Sequence, residues 1–204
     1  MTVLADTPRW PRHGLLWGHL ISDASLEELH AAAARCGLTP RAFDLDHYDW
    51  PESARGDLEA AGVRFVSAGE LTRALLRSGL RVPLRDRAAA RARRTAEHAA
   101  DLGLEMVPTD LVLGPIGHAD PLPPAGQAPA GAFRLSQEAP GGAPRVEAHD
   151  AAGRQAAQEM LALLDAHTRD RGAPGFTGQV LSLPQDSRPG SSESADGESV
   201  SGRT

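Results

Sequence analysis

The stretch LLWGHLISDASLEELHAAAARCG, residues 15–37, changes periodicity along its length and reads as a strand that feeds a helix. Trp17, His19 and Ile21 recur at every second position, as on one face of a strand. Ser25 and Glu28 then stand at capping-box spacing. Leu26, Leu29, Ala33 and Cys36 share one helical face, and Gly37 supplies the stop.

Working outward, TVLAD (2–6) reads as a short apolar strand followed by a Pro-punctuated loop, TPRWPRHG. RAFDLD (41–46) is a third, weaker strand. Asp49 and Glu52 repeat the capping-box spacing, with Pro51 in the first turn of a helix bearing Ala54, Leu58 and Ala61 and ending at Gly62. VRFVS (63–67) is a strand, and Ser67 with Glu70 caps a helix carrying Leu71, Ala74 and Leu75 up to Gly79. Strands alternating with helices predict an α/β fold over residues 1–85, with a small, mostly parallel sheet and crossover helices. So small a domain is expected to dimerise or to use the rest of the chain as cover.

The remainder predicts a largely disordered C-terminal extension. Residues 86–114 read as a solvent-facing helix and a short extended segment, and 115–149 as a Pro/Gly/Ala-rich linker. Residues 150–170 form an isolated amphipathic helix on Ala156, Met160, Leu163, Leu164 and His167, and 171–204 a disordered tail.

Composition excludes several classes. The chain has no Lys, a net charge of −6 and a single cysteine, Cys36. Residues 1–85 carry 10 Arg against 11 acids, so there is no electrostatic footprint for nucleic acid. The arginine run RDRAAARARR lacks interleaved aromatics and reads as a solvated helix face. A lone cysteine on the apolar face near a helix C-terminus is neither a disulfide partner nor an activated nucleophile. No leader or apolar span is seen, which places the expected protein in the cytoplasm, and the Ala/Arg/Gly/Pro bias suggests a GC-rich bacterial genome.

Chemistry concentrates in DLDHYDWPES, residues 44–53. In open parallel sheets, ligands bind outside the carboxyl ends of the strands, which would gather Asp6, Ser22, Asp23, His47, Tyr48 and Asp49 at one edge. Asp6, Asp23 and Asp49 are then candidate ligands for a cation such as Mg²⁺ or Mn²⁺. His47, His19 and Asp49 are the candidate acid/base set, and Arg9, Tyr48 and His30 candidate substrate contacts. Structural readings stand beside these: Asp49 as a helix N-cap, His19 as a core histidine, Tyr48 as a packing anchor. No phosphate-binding glycine loop, nucleophile elbow or zinc motif is present.

HLISDASLEELHAAAARCGL followed by FDLDHYDWP, and preceded by a short strand ending in Asp6 before PRWP, resembles a bacterial and phage family, domain of unknown function 4031, over roughly residues 2–80. The resemblance marks Asp6, His19, Asp23, Glu28, His30, His47, Tyr48 and Asp49. Where that family commonly shows Tyr-Val before an acidic pair, this chain has VLADT and keeps one acid. The family carries no activity, so the resemblance adds positions and not chemistry. Two functions remain open: a small hydrolase or phosphoester-processing enzyme, with or without a divalent metal, and a non-catalytic ligand-binding or interaction module docking through residues 150–170.

Overall fold

The computed structural model describes residues 2–12, 14–114, 121–172 and 175–184. Its N-terminal sheet has five strands: β1 (Val3–Asp6), β2 (Trp10–Arg12), β3 (Leu15–Ser22), β4 (Tyr48–Pro51) and β5 (Arg64–Val66). Trp17 pairs with both Trp10 and Pro51, and Leu20 with both Ala5 and Tyr48. Hence β1 and β2 run along one edge of β3, β4 along the other, and β5 joins the far side of β1.

The sheet is mixed, not mostly parallel. Only β1 and β5 are parallel, whereas β3 pairs antiparallel with β1, β2 and β4. A parallel crossover takes a dozen or so residues, and residues 7–14 are too few. Residues 10–12 instead form β2, whose Arg12 already pairs with Leu15 of β3, and Gly14 takes φ 74. The expected strand at 41–46 is replaced by a short 3-10 turn at Pro40–Ala42 and a turn in which Leu45 takes φ 67.

Three helices sandwich this sheet: α1 (Leu26–Arg35), α2 (Arg55–Ala60) and α3 (Ala68–Ser78). Both serine caps form, and Ser67 with Glu70 makes the full reciprocal box. At α1, Glu28 turns away from its cap and accepts from Ser22 Oγ at 2.5 Å, while that same oxygen accepts from the amides of Ala24 and Ser25. One face of the sheet, through Leu20, Tyr48 and Trp50, packs on Leu29, Ala33 and Cys36 of α1 and Leu58 of α2. On the other face α3 covers Leu4, Ile21 and Val66, using Leu71, Ala74 and Leu75. Further along that face His19 and Asp49 stay partly exposed.

The expected linker, isolated helix and tail are corrected in part. Strands β6 (Asp110–Leu113), β7 (Phe133–Gln137), β8 (Arg145–Ala148) and β9 (Gly178–Ser182) form a second, antiparallel sheet in the order β6-β9-β7-β8. Helix α5 (Ala151–Asp170) is not isolated: Ala157, Met160 and Leu164 are buried against Phe133, Leu135 and Val180. Apolar burial across distant segments offsets an ordering entropy that local composition makes look prohibitive. The tail after Leu183 and Pro184 lies outside the described residues, as does 115–120.

Helix α4 (Arg87–Asp101) is likewise not a solvated rod, since Arg87, Ala90, Thr95 and Ala99 are buried. Its Ala99 belongs to the second core, and Arg41 pairs with Asp110 of β6, so the two sheets are joined by side-chain contacts.

Candidate functional site

The two-residue strand period builds the site. Continuing the β1/β3 register by one step would set Asp6 opposite His19, and β4 sets Asp49 opposite His19 on the other edge. Three polar side chains thus fall in a row across three strands, on the face α3 leaves open. The backbone ladder breaks at this point. Between the pairs Ala5↔Leu20 and Trp10↔Trp17 the edge chain advances five residues against three on β3, a bulge of two.

Asp6 closes that bulge. Its Oδ1 accepts the His19 backbone N–H at 2.6 Å and its Oδ2 lies 3.1 Å from His19 Nδ1, while the Arg9 amide restores pairing by donating to the Trp17 carbonyl at 2.9 Å. Only glycine fits at position 18: a Cβ there would stand 2.9 Å from Trp50 Nε1 and 3.0 Å from Asp6 Oδ1. Asp6 is 2 % exposed. Burial pushes its carboxyl up, but the His19 ring and amide bonds, with the charges of His19 and Arg9, outweigh it and hold the acid below its usual value.

His47 arrives from the turn before β4. The Asp44 amide donates to the His47 carbonyl at 2.8 Å, and Leu45 in the left-handed region closes the loop. Asp46, fully buried, lies 2.6 Å from His47 Nδ1 and accepts the Val82 amide at 2.7 Å, with Arg87 at 3.3 Å and Arg81 at 3.4 Å. Burial opposes its charge, yet these bonds and cations keep Asp46 ionised below the usual carboxylate range. Asp49 Oδ1 stands 3.4 Å from His47 Nε2. Burial disfavours the imidazolium, but the hydrogen bonds and charges of Asp46 and Asp49 prevail and carry the His47 pKa from 6.5 up to about 9.

His19 and His47 face each other edge-on with ring centroids 5.2 Å apart. They share a cleft of about 390 Å³ with Asp6, Arg9, Trp10 and Arg81, floored by Ile21, Leu71 and Leu75. Trp10, 57 % exposed, stands at the rim. Asp49 reaches His47 from the adjoining cavity, which it shares with Asp44 and Arg91.

Other expected site residues lie elsewhere. Asp23 follows β3 at the opposite end from Asp6 and accepts the Thr2 amide at 2.7 Å, so Asp6, Asp23 and Asp49 do not form one metal site. Among the described residues the compact donor set is His19, His47 and Asp49, with ligand atoms within 4.8 Å of one another. Two imidazoles and one carboxylate suit Zn²⁺ or Mn²⁺ better than Mg²⁺. Asp49 is not an N-cap: it lies in β4, and neither helical segment after it has a side-chain cap. Tyr48 and His30 share a 2.8 Å hydrogen bond on the opposite face of the sheet, away from Arg9 and the cleft. Cys36 is buried, and burial pushes its thiol up.

Sequence reasoning missed Asp46 as the partner of His47, and Arg81 and Arg87 as the cations that hold Asp46. A signal existed, because Arg87, Arg91 and Arg94 recur at helical spacing and so share one face of α4. That face meets Asp46, Asp44 and the Phe43 carbonyl.

Fold and site together define an α/β unit of mixed sheet carrying two aspartate-backed histidines. Residues 3–78 match the model of the family described as Protein of unknown function (DUF4031), which bears out the resemblance read from the motifs. No curated protein and no solved structure matches the chain. Among the described residues no helix is long and apolar enough to cross a membrane.

Proposed function

We propose that this protein is a phosphoester-processing enzyme, a hydrolase or transferase, that works by paired histidine acid–base catalysis on the open face of the N-terminal sheet. One observation carries the reading: His19 and His47, each backed by a buried aspartate, face one another across a cleft that also holds Arg9 and Arg81.

The roles follow from the partners. Asp6 holds His19 through Nδ1, which leaves Nε2 as the basic nitrogen able to take a proton from water or a hydroxyl nucleophile. His47 keeps its proton through neutral pH, and because its Nε2 contact with Asp49 is long, at 3.4 Å, a leaving oxygen can displace that carboxylate and take the Nε2 proton. Arg9 and Arg81 supply the positive field for a phosphoryl group. A divalent ion at His19, His47 and Asp49 would have to displace the His47 proton, so metal uptake belongs to alkaline pH.

The test is hydrolysis of bis(4-nitrophenyl) phosphate and 4-nitrophenyl phosphate by the full chain and its His19→Gln variant, in chelator and with Zn²⁺ or Mn²⁺. Turnover in chelator that falls by ~100-fold or more in the variant supports the reading. Equal rates in both proteins would refute it. Because the His47 side chain is only 13 % exposed and ion-paired, His47→Ala also costs stability and is the poorer probe.

A further inference from the structure

A second cavity, of about 710 Å³, lies where the two sheets meet, behind the histidine cleft. Tyr48 borders it, whereas the next residue, Asp49, points to the other face of β4, so the two spaces are separated by the strand itself. Three helices contribute: His30 comes from α1, Arg94 and His98 from α4, His167 from α5, with Arg171 just beyond it. The volume is that of a small-molecule site.

Its chemistry is asymmetric. Phe43, Val112 and Leu113 give apolar walls, while the charged groups are Arg94 and Arg171 against Asp101 alone. Arg94 donates from Nη1 to the Phe43 carbonyl at 3.0 Å and stands over the Phe43 ring, and its charge is balanced at longer range by Asp110 and Asp44 on the far side of the cavity wall. A guanidinium has five N–H donors, so one side chain can serve both the Phe43 carbonyl and a ligand. His98 donates through Nδ1 to the Leu111 carbonyl at 3.3 Å, which fixes its ring at the cavity wall. His30, bound to Tyr48 and held below its usual pKa chiefly by burial, faces the cavity neutral.

We propose that this cavity is a second binding site, for a small organic anion with an apolar body and a carboxylate or phosphate-like head. The body lies on Phe43, Val112 and Leu113, and the head meets Arg94 and Arg171. The site draws on residues outside the histidine cleft and stands whether or not that cleft is catalytic.

The experiment is a backbone-amide NMR titration of the full chain with naphthalene-2-carboxylate, naphthalene-2-phosphonate and the neutral naphthalene-2-carboxamide. The expected result is saturable shifts at His98, Val112, Leu113 and His167 for either anion, with whichever binds more tightly naming the head group. Arg94→Gln should weaken the anion by about ten-fold and leave the carboxamide unchanged. Arg171→Gln, at an exposed helix end, asks the same question without touching the interior. Shifts centred on His19 and His47 instead, equal binding of the carboxamide, or unchanged anion binding in both variants would overturn the proposal.

Discussion

The two faces of the β3–β4 pair share a backbone and differ in almost everything else. On one side Leu20, Tyr48 and Trp50 are sealed under α1 and α2; on the other, one residue along each strand, His19 and Asp49 remain partly exposed. The closed face stores stability, since burying a large aromatic is worth several kcal/mol. The open face tolerates charge because Asp6, Asp46 and Asp49 each stand beside a histidine. Alternation along a strand is therefore enough to put a rigid core directly beneath a polar site.

That contrast can be broken from the closed side first. Trp50→Ala removes a fully buried indole that also donates to the His19 carbonyl, and should cost ~3–5 kcal/mol in a denaturant melt. A loss below ~1 kcal/mol would mean that this face is not the core.

The open face should reveal itself through pH. The folded His47 pKa lies above its unfolded value, so its contribution is fully present below pH 6.5 and is lost as pH rises through about 9. The span corresponds to about 3 kcal/mol. Unfolding free energies across that window should fall in the wild type and stay flat in His47→Gln. The aspartates work in the other direction: Asp6 and Asp46, held below their usual range, lend stability that disappears on acidification.

On the proposed chemistry, His19→Gln should cut turnover by ~100-fold, equivalent to about 2.7 kcal/mol, while shifting the denaturation midpoint little. A parallel loss of stability and rate would make His19 a structural residue. Smallest of all, Trp10→Ala at the exposed rim should change stability by less than ~0.5 kcal/mol and act on KM alone. An unchanged KM would remove Trp10 from the substrate's path.

Much of the N-terminal fold was legible because its signals are local. The strand at 15–22, the Ser25 and Ser67 caps and the α3 stripe are set by residues a few positions apart. Strand direction was readable too, had the shortness of 7–14 been weighed against the length of a crossover. His19, His47 and Asp49 were legible as chemistry, but their meeting place was not, because the strand-end rule applies to parallel sheets and this site lies on a face. The second sheet was hidden for another reason. Strand β7, FRLSQ, is buried throughout although it includes Arg134, Ser136 and Gln137, and it alternates apolar and polar residues only over the four positions Phe133–Ser136, too short a signal to stand out from the Pro/Gly/Ala-rich sequence before and after it. Its partner β9 lies far along the chain, across a Pro/Gly-rich stretch.

Arg87 lies nine residues beyond the end of the family match at residue 78, yet it contacts Asp46 and Asp44, the acids that brace the turn bearing His47. The matched segment is thus an unfinished circuit: cut after residue 85, it keeps both histidines and loses a counter-charge from beneath one of them. In such a fragment Asp46 would keep the Val82 amide and Arg81 but lose Arg87, and the ionisation of the His47 ring would report the cut before the fold did.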